Sequence, residues 1–294
     1  MNETREQTFL FDVDGAPLVG IVSVPTSRVE ATGVLIVVGG PQYRVGSHRQ
    51  FVLLARALAR RGIAAMRFDC AAMGDSAGVE RAFTERDAEI RGAIDAFVRV
   101  VPSVRQVAIW GLCDAASAAL MYAAGDARVT RLVLLNPWVR SETGLAQAQL
   151  KHHYSAKFVD RDFWKKLVSG RVDVWRALTE FVATWRTARR AGQEPRVATT
   201  YQERMAIGWR RFDGDTLLIC SGNDLTAREF LDHAERDPAW AGLVEAPRVS
   251  RRRFDEADHT FSRAQWRDQV ATWTADWIIG ESEPVSGVAP REAA

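Results

Sequence analysis

Over the first 136 residues, short apolar runs alternate with segments whose apolar positions recur every three to four residues. Residues 7–13 and 18–24 flank Asp14-Gly15, a dipeptide suited to a two-residue hairpin turn, and so predict two antiparallel strands. Residues 33–38 (GVLIVV) are continuously apolar, as in a strand covered on both faces, and Gly39-Gly40-Pro41 closes the run. In 48–61 the apolar residues at 51, 54, 55 and 58 share one helical face, and Gly62 ends the helix. His48 is expected as its cap. A strand at 63–68, a loop from Asp69 to Gly78 and a helix at 84–99 follow. Residues 107–110 and 131–136 are again buried-strand runs, with small helix-favouring residues from Ala115 onward between them. Strand and helix in alternation predict a mostly parallel, doubly wound α/β sheet with helices on both faces.

The alternation stops at Pro137. From 138 to 211 the pattern is helical, with helices expected at 142–156, 160–168, 172–191 and 198–210. Strand character returns at 216–220, followed by a helix at 226–236, a strand at 249–254 and a helix at 263–279. The expected organisation is a core of 1–137 and 212–280, a helical cap inserted at 138–211, and a disordered tail at 281–294.

Composition narrows the class. The chain has 294 residues, 47% hydrophobic and 26% charged, with a net charge of +2 that gives no argument for nucleic acid. Cys70, Cys113 and Cys220 are too few and too widely spaced for a disulfide framework or a zinc pattern, which points to a reducing compartment and a cytoplasmic protein. The N-terminal residues are polar and lack a signal-peptide pattern, and no apolar run reaches the ~18–20 residues of a membrane span. No metal and no cofactor is expected.

The candidate chemistry starts at VAIWGLCDAASAA (107–119). A buried strand, the turn Gly111-Leu112-Cys113-Asp114-Ala115 and a helix of small residues have the form of a nucleophile elbow, with Cys113 in the nucleophile place. Residues two positions either side of it must be small for strand and helix to pass closely. A helix N-terminus there favours a thiolate. A buried cysteine beside glycine also serves as a small hydrophobe, so the elbow needs partners. His259 lies in the loop after the last strand, and Asp224 lies just past the strand 216–220. The order Cys113, Asp224, His259, each at a strand's carboxyl end, is the nucleophile–acid–histidine order of the α/β-hydrolase fold. Asp258 is rejected as the acid because it adjoins His259, and Asp69 is expected to stabilise its loop. The oxyanion hole needs two backbone donors. One is expected from the N–H of Asp114. The other is expected from Gly40 or Gln42, because Pro41 has no N–H.

The stretches 33–63, 73–78 (MGDSAG), 110–123 (WGLCDAASAALMYA) and 132–154 resemble the α/β-hydrolases found beside exosortase-type protein-sorting systems, the "hydrolase 1, exosortase A system-associated" group. The resemblance implies an acyl-transferring hydrolase with Cys113 as nucleophile and supplies no substrate. One departure is Cys70-Ala71-Ala72 after Asp69, where relatives often carry an aromatic residue, arginine and glycine; a loop anchor is missing there.

Between Lys151 and Arg211 basic residues outnumber acidic ones, and Trp164, Trp175, Trp185 and Trp209 are interspersed. This composition fits a solvated helical surface. It also fits a lid whose tryptophans line an acyl pocket and whose cations attract an anionic head group, such as an acyl thioester of coenzyme A or a carrier protein. Trp138, Trp164 and Arg44 are the expected substrate contacts. The expected function is hydrolysis of a small-molecule ester or thioester through a Cys-His-Asp triad and a covalent acyl-enzyme. Acyl transfer by the same residues and ligand binding without chemistry stand as alternatives. Oligomeric state is not readable from the sequence.

Overall fold

Eight strands lie side by side in the order β1-β2-β4-β3-β5-β6-β7-β8 in the computed structural model, which describes residues 3–40, 42–140 and 199–280. The strands are β1 Thr4–Val13, β2 Ala16–Pro25, β3 Thr32–Val37, β4 Ala65–Phe68, β5 Gln106–Leu112, β6 Val129–Leu135, β7 Asp215–Ser221 and β8 Val249–Phe254. β1 and β2 form the expected hairpin, with Asp14 (φ 52) and Gly15 (φ 81) both left-handed as such a turn requires. β2 meets β4 antiparallel, and every later neighbour pair is parallel. The architecture is the doubly wound, mostly parallel α/β sheet that the alternation predicted.

The helices are α1 Gln50–Arg60, α2 Asp87–Val100, α3 Asp114–Tyr122, α4 Tyr201–Arg211, α5 Leu225–Arg236 and α6 Ala264–Ile279. They cover the sheet on two faces, which explains the apolar runs. In β3, Leu35 and Val37 join the core under α2 and α3, whereas Val34 and Ile36 join the core under α1 and α6. β5 divides in the same way, with Ile109 on the first side and Trp110 on the second. β8, the edge strand, is only partly buried and carries Arg251, Arg252 and Arg253, charges that discourage edge-to-edge pairing.

The chain divides into two units, Met1–Val139 with Tyr201–Ala294, and Arg140–Thr200. Two expectations about the insertion change. Helix α4, placed by the sequence within the cap, packs against α3 and belongs to the sheet-bearing unit. A Cβ on Gly208 would sit 2.1 Å from the Leu120 carbonyl oxygen, so glycine permits this close approach. Trp209, counted with the lid tryptophans, is a core residue: it stacks on Phe230, meets Trp240 edge-on, and donates its Nε1–H to Thr216 Oγ1. The helices expected at 142–156, 160–168 and 172–191, the tail at 281–294, and Pro41 lie outside the described residues. No described helix is long and apolar enough to cross a membrane.

Candidate active site

The elbow is built by strain that its neighbours hold in place. Cys113 has φ 62 and ψ −125, a conformation that costs a non-glycine residue about 1–3 kcal/mol, and it is the N-cap position of α3. Its N–H donates to the Leu135 carbonyl, and its own carbonyl accepts from Ala116 and Trp138. A Cβ on Gly111 would lie 2.7 Å from backbone atoms of Ala115 and Ala116, so only glycine fits there. At the other flank the fully buried Ala115 is small enough.

The loops that carry Asp224 and His259 arrive side by side. The Gly222 N–H donates to the Phe254 carbonyl, the Asn223 N–H donates to the Ala257 carbonyl, and Gly222 leaves no room for a Cβ beside Asp255. Nδ1 of His259 stands 2.9 Å from Oδ2 of Asp224. Asp224 is also the N-cap of α5, accepting from the N–H groups of Thr226 and Ala227. A helix N-terminus favours the anion there. Burial opposes ionisation of Asp224, but His259 and the two N–H groups outweigh it, and the carboxyl is held below its usual range. The hydrogen bond donated to Asp224, then that to the Cys113 side chain, against desolvation, push His259 up to about 10. The imidazole thus lies between Asp224 and the Cys113 side chain. Asp258 is occupied by the backbone N–H and hydroxyl of Ser262, consistent with its rejection as the orienting acid.

Cys113 and His259 open into a cavity of about 440 Å³, lined also by Gly39, Gly40, Gln42, Phe51, Phe83, Leu112, Asp114 and Trp138. This size suits a small molecule, and most of the lining is apolar or aromatic. Of the expected substrate contacts, Trp138 lines the cavity, its backbone N–H fixed by Ser117 Oγ. Trp164 lies outside the described residues. Arg44 is a correction. Its guanidinium pairs with Asp69 and Asp75, and its backbone N–H donates to Asp69 Oδ1, so it is not part of the lining. A fully buried carboxylate at Asp69 draws this cation inward, and Arg44 thus supplies, from the loop after β3, the anchor that Cys70-Ala71-Ala72 lacks. His48 is another correction: it is left-handed (φ 54) ahead of α1, and Arg49 takes the cap position.

Gly40 is a third correction. Its N–H, expected as an oxyanion donor, donates at 2.9 Å to Oδ2 of the Asp114 side chain. The Asp114 backbone N–H, at the first position of α3, has no intrahelical partner. Gln42 lines the cavity, and its side-chain oxygen accepts from the Ser47 N–H.

Asn136 and Ser221 escaped sequence reading. Asn136, fully buried at the end of β6, donates Nδ2–H to Ser221 Oγ (2.8 Å) and to the His259 carbonyl (3.0 Å), and accepts from the Ser221 N–H. Ser221 Oγ donates in turn to the Asp258 carbonyl. The pair ties the ends of β6 and β7 to the histidine loop. The one signal in the sequence is a polar residue closing each apolar strand.

No curated protein matches the chain. Solved structures share the fold at low identity. An esterase from Pyrococcus furiosus superposes with a TM-score of 0.62 at 12% identity, over 94% of this chain and 91% of that one. Dienelactone hydrolase from Anabaena variabilis gives 0.59 at 15% identity, over 94% and 98%. A cold-adapted esterase from an Arctic intertidal metagenomic library gives 0.58 at 15% identity, over 95% of each chain. The sequence profile of the alpha/beta hydrolase family matches residues 34–273, a span that holds the elbow, Asp224 and His259, and the chain belongs to that family.

Proposed function

We propose that the protein is an acyl hydrolase acting on esters or thioesters, with Cys113 as nucleophile, His259 as proton carrier and Asp224 as the acid that orients it. The observation that carries this reading is the placement of His259 between Asp224 and Cys113 at the wall of a cavity. Family membership and the esterases among the structural neighbours support it.

In the first half-reaction the Cys113 sulfur, as thiolate, attacks the carbonyl carbon. The Asp114 N–H receives the developing oxyanion, with Gln42 as the candidate second donor in place of Gly40. The tetrahedral intermediate collapses, the leaving oxygen or sulfur takes the proton held by His259, and an S-acyl enzyme remains. Neutral His259 then takes a proton from water, whose oxygen attacks the acyl carbon. The acid leaves, and Cys113 and the protonated His259 are restored. Asp224 holds the imidazole in one orientation and stabilises its positive charge.

The stretches resembling the exosortase-associated group fit this activity and leave the acyl chain open. The basic, tryptophan-rich composition of 151–211 fits an acyl thioester on coenzyme A or a carrier protein. All three cysteines are free, as a reducing, cytoplasmic setting requires.

The test is a panel of short and long acyl esters and thioesters, with mass spectrometry of the quenched enzyme. Turnover with a transient acyl mass on the peptide bearing Cys113 supports the reading. Turnover that persists in Cys113→Ala overturns the nucleophile, and absence of turnover with ligand still bound favours a binding protein. Acylation followed by faster release to an added alcohol or amine than to water makes the protein an acyltransferase.

A further inference from the structure

We propose that Asp114 sets the charge selectivity of the cavity, disfavouring substrates that carry negative charge beside the carbon that Cys113 attacks. The inference rests on Cys113 being the nucleophile.

Asp114 follows Cys113 and lines the same cavity. Its side chain folds back onto the loop after β3, where Oδ2 accepts the Gly40 N–H at 2.9 Å. Oδ1 is buried with no hydrogen-bond partner among the described residues, and it lies where a Cβ on Gly39 would come within 2.1 Å. Gly39-Gly40 is thus the surface on which the carboxylate rests: one glycine leaves the space and the other supplies the N–H. The nearby Arg44 is committed to Asp69 and Asp75, and no ion pair to Asp114 forms among the described residues. The rest of the described lining, apart from His259 and the reacting Cys113, is uncharged. Besides the thiolate and imidazolium of Cys113 and His259, which serve the reaction, the described wall therefore holds one further charge, the Asp114 carboxylate.

A carboxylate gripped in this way cannot swing out of the way of an incoming anion. Like charges a few ångströms apart in a partly desolvated cavity repel strongly enough to change a rate about tenfold. Neutral acyl esters and thioesters avoid the repulsion; acyl groups with a carboxylate next to the reacting carbonyl meet it in full. An anionic group farther along the leaving portion does not.

The experiment compares alkylation of Cys113 by iodoacetamide and by iodoacetate, reagents of the same size that differ in charge. In both reactions the sulfur–carbon bond forms as the carbon–iodine bond breaks and iodide leaves. No oxyanion develops, so the support of the oxyanion site does not enter the rate. Rate constants for the Cys113 peptide are measured in the wild type and in Asp114→Asn, Asp114→Ala and Asp114→Glu, with folding checked by circular dichroism. His259 attracts iodoacetate in all four proteins and cancels in the comparison.

The expected result is that the iodoacetamide-to-iodoacetate rate ratio falls about tenfold in Asp114→Asn and in Asp114→Ala, and stays near the wild-type value in Asp114→Glu. Alkylation of Cys113 with an unchanged ratio in the folded neutral variants overturns the selectivity and leaves the nucleophile standing. A Cys113 that neither reagent modifies overturns both. If one neutral variant does not fold, the other gives the ratio.

Discussion

Asp224 reaches Nδ1 of His259 at 2.9 Å with the same carboxylate that caps helix α5 through the N–H groups of Thr226 and Ala227. The carboxylate is therefore immobilised by its own helix before it meets the imidazole. This double duty separates two variants. Asp224→Asn keeps a good N-cap and loses the negative charge; it is expected to fold with near-wild-type stability and to lose roughly 10²-fold in turnover. The loss is smaller than in serine triads because a thiol depends less on its base. Asp224→Ala loses the cap as well and is expected to be less stable by about 1 kcal/mol. Thermal melts and steady-state rates on one ester distinguish the two.

His259 gives the pH dependence. Its pKa is raised from the ordinary 6.5 to about 10 in the folded protein, by Asp224 and then Cys113. A raised value means that the stabilisation is fully present below about 6.5, declines as pH rises, and is gone above about 10. The stability difference between wild type and His259→Gln should therefore shrink steadily over that interval. In the proposed mechanism the same proton serves the leaving group, so activity toward poor leaving groups should fall on the alkaline side with a midpoint near 10. Denaturant melts of both proteins across the interval, with parallel rate measurements, check this; a constant difference refutes it.

Arg44 holds the loop after β3 to a completely buried carboxylate, Asp69. Removing the cation leaves that charge without its partner, so Arg44→Ala is expected to destabilise the protein by about 3 kcal/mol or more. Arg44→Lys keeps the charge but not the planar fork that spans Asp69 and Asp75, and should fall between the two. Equilibrium unfolding in urea measures both. A neutral Arg44→Ala would show that the pair contributes nothing to stability.

At the elbow, Gly111→Ala places a methyl 2.7 Å from the backbone of Ala115 and Ala116, where no side chain can yield. The expected cost is about 3 kcal/mol or more, with the nucleophile displaced. Ala115→Gly meets no such conflict and should cost about 1 kcal/mol, through backbone entropy in the first turn of α3. Unfolding midpoints, with alkylation rates at Cys113, test the contrast. Cys70 and Cys220 are quiet references, since burial pushes both thiols up to about 12.

The local code of the chain determined the sheet and the three loops that carry Cys113, Asp224 and His259. The run 33–38, the turn at Asp14-Gly15 and the small residues around Cys113 act over a few positions, and their meaning does not depend on distant partners. The chain order of Cys113, Asp224 and His259 likewise sufficed to nominate them, because parallel strands deliver their carboxyl ends to one edge of a sheet. Direction of side chains is another matter. Arg44 was expected in the substrate site and turned to Asp69, 25 residues away in sequence; Gly40 was expected to face substrate and is taken by Asp114, 74 residues away. Asn136 and Ser221, 85 residues apart, form one buried network that no periodicity announces. Trp209 sits on a helix whose pattern reads equally well as lid or core, and only the groove at Leu120, with Phe230 and Trp240 beside it, assigned it to the core. Periodicity records which face of an element is apolar. Which polar atom answers which is settled when strands far apart in sequence come within hydrogen-bond reach and every buried donor and acceptor must find a partner.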